Sequence, residues 1–187
     1  MVEASNAALY VFAAWRFGPT PEGIITMAYL SILVVVFFID LEHRLILNVV
    51  SYPSIAFALA VVPWGPVGHG DMSLRTAYLD GLYGALLGGA VLLVIYLVAF
   101  LVFRREAIGL GDVKLGVLLG LMLGFVATVV TLDLAFVGGG LLALLLLALK
   151  IRRIGEYIPF GPFLAGAGIV SLYWGQSLFT WYWGLFP

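Results

Sequence analysis

The stretch Ile108-Gly109-Leu110-Gly111-Asp112-Val113-Lys114-Leu115-Gly116, which runs on through Gly120 to Gly124, sets a carboxylate at the head of an apolar segment. Asp112, Gly116, Gly120 and Gly124 recur at every fourth position, so on a helix they share one face. Small residues at this spacing let a neighbouring helix backbone approach closely. The acid is therefore expected to head a packed face rather than a lipid-facing one. Gly109 and Gly111 are expected to leave room for unusual backbone just before it. A second set of small residues, Gly81, Gly84 and Gly88, offers a partner face on the preceding apolar segment.

Composition decides the solvent. Of the 187 residues 64% are hydrophobic and 10% charged, where soluble domains hold about 45–50% and about 25%. That excess of apolar surface needs lipid, and the alternation of a barrel strand is absent. The expected fold is an all-α polytopic membrane protein, a bundle of six to seven transmembrane helices in a single membrane-embedded domain, residues 1–187. Spans are predicted at 22–41, from about 48 to Pro63-Trp64-Gly65-Pro66, and at 76–103, 112–131, 133–149 and 159–183. Asn48 or Ser51 is expected to cap the second of these. Residues 4–17 are shorter than the roughly 20 a span requires and make a seventh helix if they cross. Met1-Val2-Glu3 lacks the basic start of a signal peptide, so targeting is expected from the spans themselves.

The net charge of −1 gives no reason to expect nucleic acid as a partner. Zero cysteines exclude disulfides, thiolate zinc sites and a cysteine nucleophile. His43 and His69 fall on opposite sides, so no metal site and no cofactor are expected.

Loop charge sets the orientation. Arg44, Arg104, Arg105, Lys114, Lys150, Arg152 and Arg153 fall on one side, Arg16 and Arg75 on the other. The richer side is expected to be cytoplasmic. Asp40, in the last turn of the 22–41 span, then shares the cytoplasmic side with Asp112. Acids at such depth are functional candidates. The blander reading of Asp40 is a boundary residue paired with Arg44 four positions on. Glu42 and Glu106 fall in loops, and Asp71, Asp80 and Asp133 on the opposite side, where caps or loop charges are expected. Two carboxylates held close cannot both ionise cheaply and share a proton. One can then activate a water while the other hydrogen-bonds a scissile carbonyl, which is metal-free peptide hydrolysis.

Three stretches carry a family resemblance. Gly109-x-Gly111-Asp112-x-Lys114-Leu115 resembles the GxGD signature of type IV prepilin peptidases and, more distantly, of presenilin-like proteases. Ile39-Asp40-Leu41-Glu42-His43-Arg44-Leu45-Ile46 resembles the stretch that bears their first catalytic aspartate. Ile158-Pro159-Phe160-Gly161-Pro162-Phe163-Leu164 resembles their Pro-Phe-Gly-Pro segment. The resemblance implies an intramembrane aspartic endopeptidase with Asp40 and Asp112 as catalytic residues. Gly109, Gly111, Lys114, Pro159, Phe160, Gly161 and Pro162 would support them. Its substrates would be prepilin or pseudopilin precursors of pilus or type II secretion systems, whose basic leaders are cut at the cytoplasmic face of the inner membrane.

The chain departs from the pattern at Leu47, where the family has proline, a change expected to alter a turn rather than chemistry. It also opens at Val2-Glu3-Ala4, like the stretch after the family's cysteine-bearing region, so no N-methylation is expected of it. Two local roles stay open. Lys114 either meets phosphate headgroups or steadies local charge. Pro159–Pro162 either presents free carbonyls to a substrate strand or is a helix start with proline in its first turn. The rival reading from another class is a small proton- or ion-coupled transporter. The placement of both acids at one face, with no inverted repeat, speaks against it.

Overall fold

Long apolar runs can satisfy their backbone in lipid by coiling into helices, and that is what they do here. The computed structural model describes residues 2–66, 72–103, 109–150 and 159–185. These form six α-helices and no strand: α1 Val2–Phe17, α2 Pro21–His43, α3 Asn48–Val61, α4 Leu74–Phe103, α5 Leu110–Ala148 and α6 Gly161–Trp183. Helices α2, α4 and α5 are each long and apolar enough to cross a membrane. The fold is an all-α membrane bundle. Arg104, Arg105, Glu106, Arg152, Arg153, Ile108, Ile158, His69 and Asp71 lie outside the described residues.

Local chemistry sets the helix ends. Thr20 caps α2, its hydroxyl accepting the Gly23 N–H at 3.1 Å, and Pro21 occupies the first turn. The same helix ends where Arg44 turns left-handed (φ 55) and donates its N–H to the Asp40 carbonyl at 2.9 Å. Asp40 is thereby fixed in the last turn. Neither Asn48 nor Ser51 caps α3, contrary to expectation. The Asn48 amide oxygen is taken by Lys114 Nζ at 2.6 Å, and the Ser51 hydroxyl bonds back to the Leu47 carbonyl at 3.1 Å. Helix α3 passes into a 3-10 turn at Val62–Trp64. The first segment is a 16-residue helix held on α2 and α6. Tyr10 bonds Ser31 through its hydroxyl, Tyr173 donates to the Leu9 carbonyl at 3.1 Å, and the Phe12 and Tyr173 rings meet edge-on.

The two glycine faces pack on each other, backbone to backbone. A Cβ on Gly84 would stand 2.6 Å from the Gly120 carbonyl oxygen, and one on Gly116 would stand 2.7 Å from that of Gly88. The pairing of 84 with 120 and 88 with 116 makes α4 antiparallel to the start of α5.

Helix α5 departs from expectation. No break falls at Leu132 between two spans; the chain is helical there. Thr131 and Asp133 look like polar punctuation in the sequence. Yet Thr131 returns its hydroxyl to the Ala127 carbonyl at 2.7 Å and needs no gap in the helix. The break lies instead at Gly124, with φ 75 and ψ −179, a conformation that favours glycine. Asp80 of α4 receives the N–H of the next residue, Phe125, at 3.2 Å. Thr128 donates its hydroxyl to the Gly124 carbonyl at 2.5 Å.

At Gly124 the chain folds back. A straight helix would hold Gly111 and Gly139 about 42 Å apart. Yet Ile46 packs on both Gly111 and Gly161, while Gly139 lies against Phe160 and Phe163, and Phe136 stacks on Phe160 with centroids 5.2 Å apart. Both arms of α5 thus reach the first turn of α6, and α5 is a V with its apex at Gly124. Leu33, Leu118, Leu119, Met122 and Leu164 fill the centre of the bundle.

Alanine at Gly84 or Gly120 should force α4 and α5 apart and destabilise the fold by about 1–3 kcal/mol, as overpacking does. Gly140, where a Cβ meets nothing within 4 Å, is the control. Thermal unfolding in detergent, followed by tryptophan fluorescence, should show a lower Tm for the first two variants and none of that loss for Gly140→Ala.

Candidate active site

Asp40 and Asp112 are brought together from opposite helix polarities, the last turn of α2 and the first turn of α5. Each is only 3% exposed. Both line one cavity of about 370 Å³ together with Arg44, Leu45, Ile46, Gly109, Leu110 and Gly111.

Each carboxylate is held by the backbone N–H of a glycine at a helix start. Asp112 Oδ2 accepts the Gly109 N–H at 3.0 Å, and the Asp112 N–H returns to the Gly109 carbonyl at 3.0 Å. Asp40 accepts a hydrogen bond from the Gly161 N–H. These donors have no partner inside their own helices, which leaves them free for an acid.

The glycines work by size. Gly109 has an ordinary extended backbone, φ −79 and ψ 153, so the expectation of unusual backbone there is corrected. Gly111 is needed for space, because a Cβ would lie 2.8 Å from that of Ile46. A Cβ on Gly161 would run into the Asp40 carboxylate. Ile46 fills the gap between Gly111 and Gly161 and sets the spacing of the two helix starts.

Around this core the remaining predicted residues take different places. Phe160 precedes α6 and stacks on Phe136, and Pro162 sits in the first turn, so the helix-start reading holds for that segment. Pro159 lies just outside the helix. Lys114 does not line the cavity. Its ammonium bonds Asn48 and sits 4.9 Å from the centre of the Tyr52 ring, tying α5 to α3. Among the described residues no ion pair joins Arg44 to Asp40. The blander reading of Asp40, a water-boundary acid paired with Arg44, does not fit a buried side chain. Glu42 is exposed beside His43, at 3.9 Å. No group of three or more His, Asp or Glu side chains gathers among the described residues. Sequence reasoning missed the seat of Gly161 on Asp40 and the part played by Ile46. A glycine between an aromatic ring and a proline at a helix start was the available signal.

Residues 27–144 match the type IV leader peptidase family. The chain belongs to that family. It is 30% identical over 180 residues to the prepilin leader peptidase/N-methyltransferase of Pseudomonas putida, covering 96% of this chain and 60% of that protein. Identity to the protein of the same name from Pseudomonas aeruginosa is 31% over 178 residues, 95% of this chain and 59% of the relative. For that of Aeromonas hydrophila it is 31% over 182 residues, 97% and 60%. The chain therefore spans about three-fifths of the length of these relatives. No solved structure matches it. In this leader peptidase family member Leu47 has φ −71, the angle a proline ring imposes.

The juxtaposition is directly measurable, since the chain has no cysteine. A disulfide requires Cα atoms within about 7 Å, and a short bifunctional thiol reagent covers a slightly wider gap. An Asp40→Cys, Asp112→Cys double variant should cross-link within one chain under oxidant or reagent. An unlinked, folded sample under both treatments would contradict the shared cavity.

Proposed function

We propose that this chain is an intramembrane aspartic endopeptidase that removes the basic leader from type IV prepilin or pseudopilin precursors. Asp40 and Asp112 are its catalytic pair. The observation that carries this reading is the convergence of two buried carboxylates on one cavity, each held by a glycine N–H. The relatives named as prepilin leader peptidases support the substrate class and favour cleavage over ion-coupled transport.

The two acids share one proton. The ionised member takes a proton from a water between them, and the protonated member hydrogen-bonds the scissile carbonyl. Water then attacks the polarised carbon, and the proton passes to the leaving amine. Holding each acid by a rigid helix start keeps the pair aligned without a metal. The substrate's apolar helix would lie among α2, α5 and α6 with its leader at the dyad end. The excess of loop Lys and Arg at that end supports a cytoplasmic active site in the inner membrane. Residues 1–187 act as one peptidase domain in this reading. Gly109, Gly111, Phe160, Gly161 and Pro162 position the pair, and Lys114 anchors the start of α5.

The test is leader removal from a purified prepilin by the chain in detergent. Asp40→Asn and Asp112→Asn should each reduce cleavage to background while the fold survives, since a dyad needs both members. Near-normal cleavage by either folded variant would sink the pair. Zinc chelators should leave the rate unchanged.

Gly161→Ala should also slow cleavage, because the new methyl displaces the Asp40 carboxylate. Small displacements of a catalytic group cost up to about 100-fold in rate. Wild-type turnover in Gly161→Ala would mean that this contact does not position Asp40.

A further inference from the structure

Helix α4 carries Asp80, Gly84 and Gly88 at every fourth position, and α5 carries Asp112, Gly116 and Gly120 at the same spacing. The two stripes run antiparallel, with Gly84 on Gly120 and Gly88 on Gly116. Each stripe is headed by an aspartate, one at either end of the packed interface. Asp112 heads the end that holds the acid pair. Asp80 heads the opposite end, at the apex of the α5 V.

Asp80 is half-buried and has no capping task in its own helix. Ser73 does that, its hydroxyl accepting the Thr76 N–H at 3.2 Å. The Asp80 carboxylate reaches across to the Phe125 N–H. With ψ −179 at Gly124, that N–H is turned out of the direction an unbroken helix would give it. Phe125 is 43% exposed, and in lipid an N–H without an acceptor is costly, so the bond to Asp80 stabilises the reversed chain over a straight one. The reversal has one consequence at the far end. It returns Phe136 and Gly139 to the start of α6, where they pack on Phe160 and Phe163. Gly161, between those two rings, donates to Asp40.

We propose that Asp80 is a positioning residue for the acid pair. By holding the Phe125 N–H it sets the angle of the α5 V, and through the second arm of α5 it seats Gly161 on Asp40. The kinetic part rests on the peptidase reading above; the geometric part does not.

Two measurements test it on the full chain in detergent. The first is prepilin cleavage. Asp80→Ala should lower kcat about 10- to 100-fold, the range expected of a misplaced catalytic group, with little change in KM. Asp80→Asn keeps a carbonyl acceptor and should stay near wild type. Phe125→Pro removes the N–H at a position where proline is tolerated. In that background Asp80→Ala should cost nothing further, because the two changes delete the same bond. Wild-type kcat in Asp80→Ala, an equal loss in Asp80→Asn, or an undiminished loss in the Phe125→Pro background would each overturn the proposal.

The second measurement needs no activity. Gly139→Cys with Phe163→Cys should form a disulfide, since a Cβ on Gly139 lies 3.5 Å from the Phe163 ring. The bond should form readily with Asp80 or Asp80→Asn and several-fold more slowly with Asp80→Ala. Equal rates in all three would overturn the geometric link. If no form of the chain cleaves prepilin, the peptidase reading fails, while the disulfide rates still decide what Asp80 does.

Discussion

The backbone-to-backbone contact of α4 with the first arm of α5 is the constraint on which the rest of the structure depends. Lipid offers helices no hydrophobic reason to associate, so close packing of small residues supplies much of the attraction. Gly84, Gly88, Gly116 and Gly120 bring the two backbones so close that no side chain fits between them. A contact of this kind has almost no freedom to slide. It holds Asp112 at one end of the interface and Asp80 at the other. The direction and depth of α5 follow from it, and so does the level at which the chain breaks at Gly124.

Polar groups inside such a bundle gain from partners within the protein. Several hydroxyls find them locally, while Asn6, Thr26, Tyr29 and Ser171 hold buried oxygen atoms without a hydrogen-bond partner. Ser31, Ser51, Thr128, Thr131 and Thr180 each return a hydroxyl to the carbonyl four residues earlier. Residues that read as polar interruptions are thereby absorbed into helices. The acids cannot be satisfied that way, because a carboxylate needs donors. Asp112 finds one at the start of its own helix, Asp40 at the start of α6, and Asp80 at the restart of α5. The rule is the same in all three places: an acid sits where a helix begins, because only there does the backbone have N–H groups to spare.

The sequence by itself determined the all-α membrane class, through a composition that only lipid can solvate. It determined the glycine face behind Asp112 and the partner face at Gly81, Gly84 and Gly88, because a period of four is a local property of a helix. It also placed Asp40 and Asp112 at the same end of the bundle, through the alternation of apolar runs and the charge between them. Only the tertiary structure decided that the break in α5 falls at Gly124 and not near Leu132. Gly124 reads as one more member of the stripe, and the acceptor that makes its break tolerable, Asp80, lies 45 residues before the Phe125 N–H it receives. The same holds for the partners of Lys114 and for Gly161 on Asp40. Periodicity records which face of a helix is packed, but not which distant residue meets it. That choice is made by shape and by the few backbone donors left over when the helices come together.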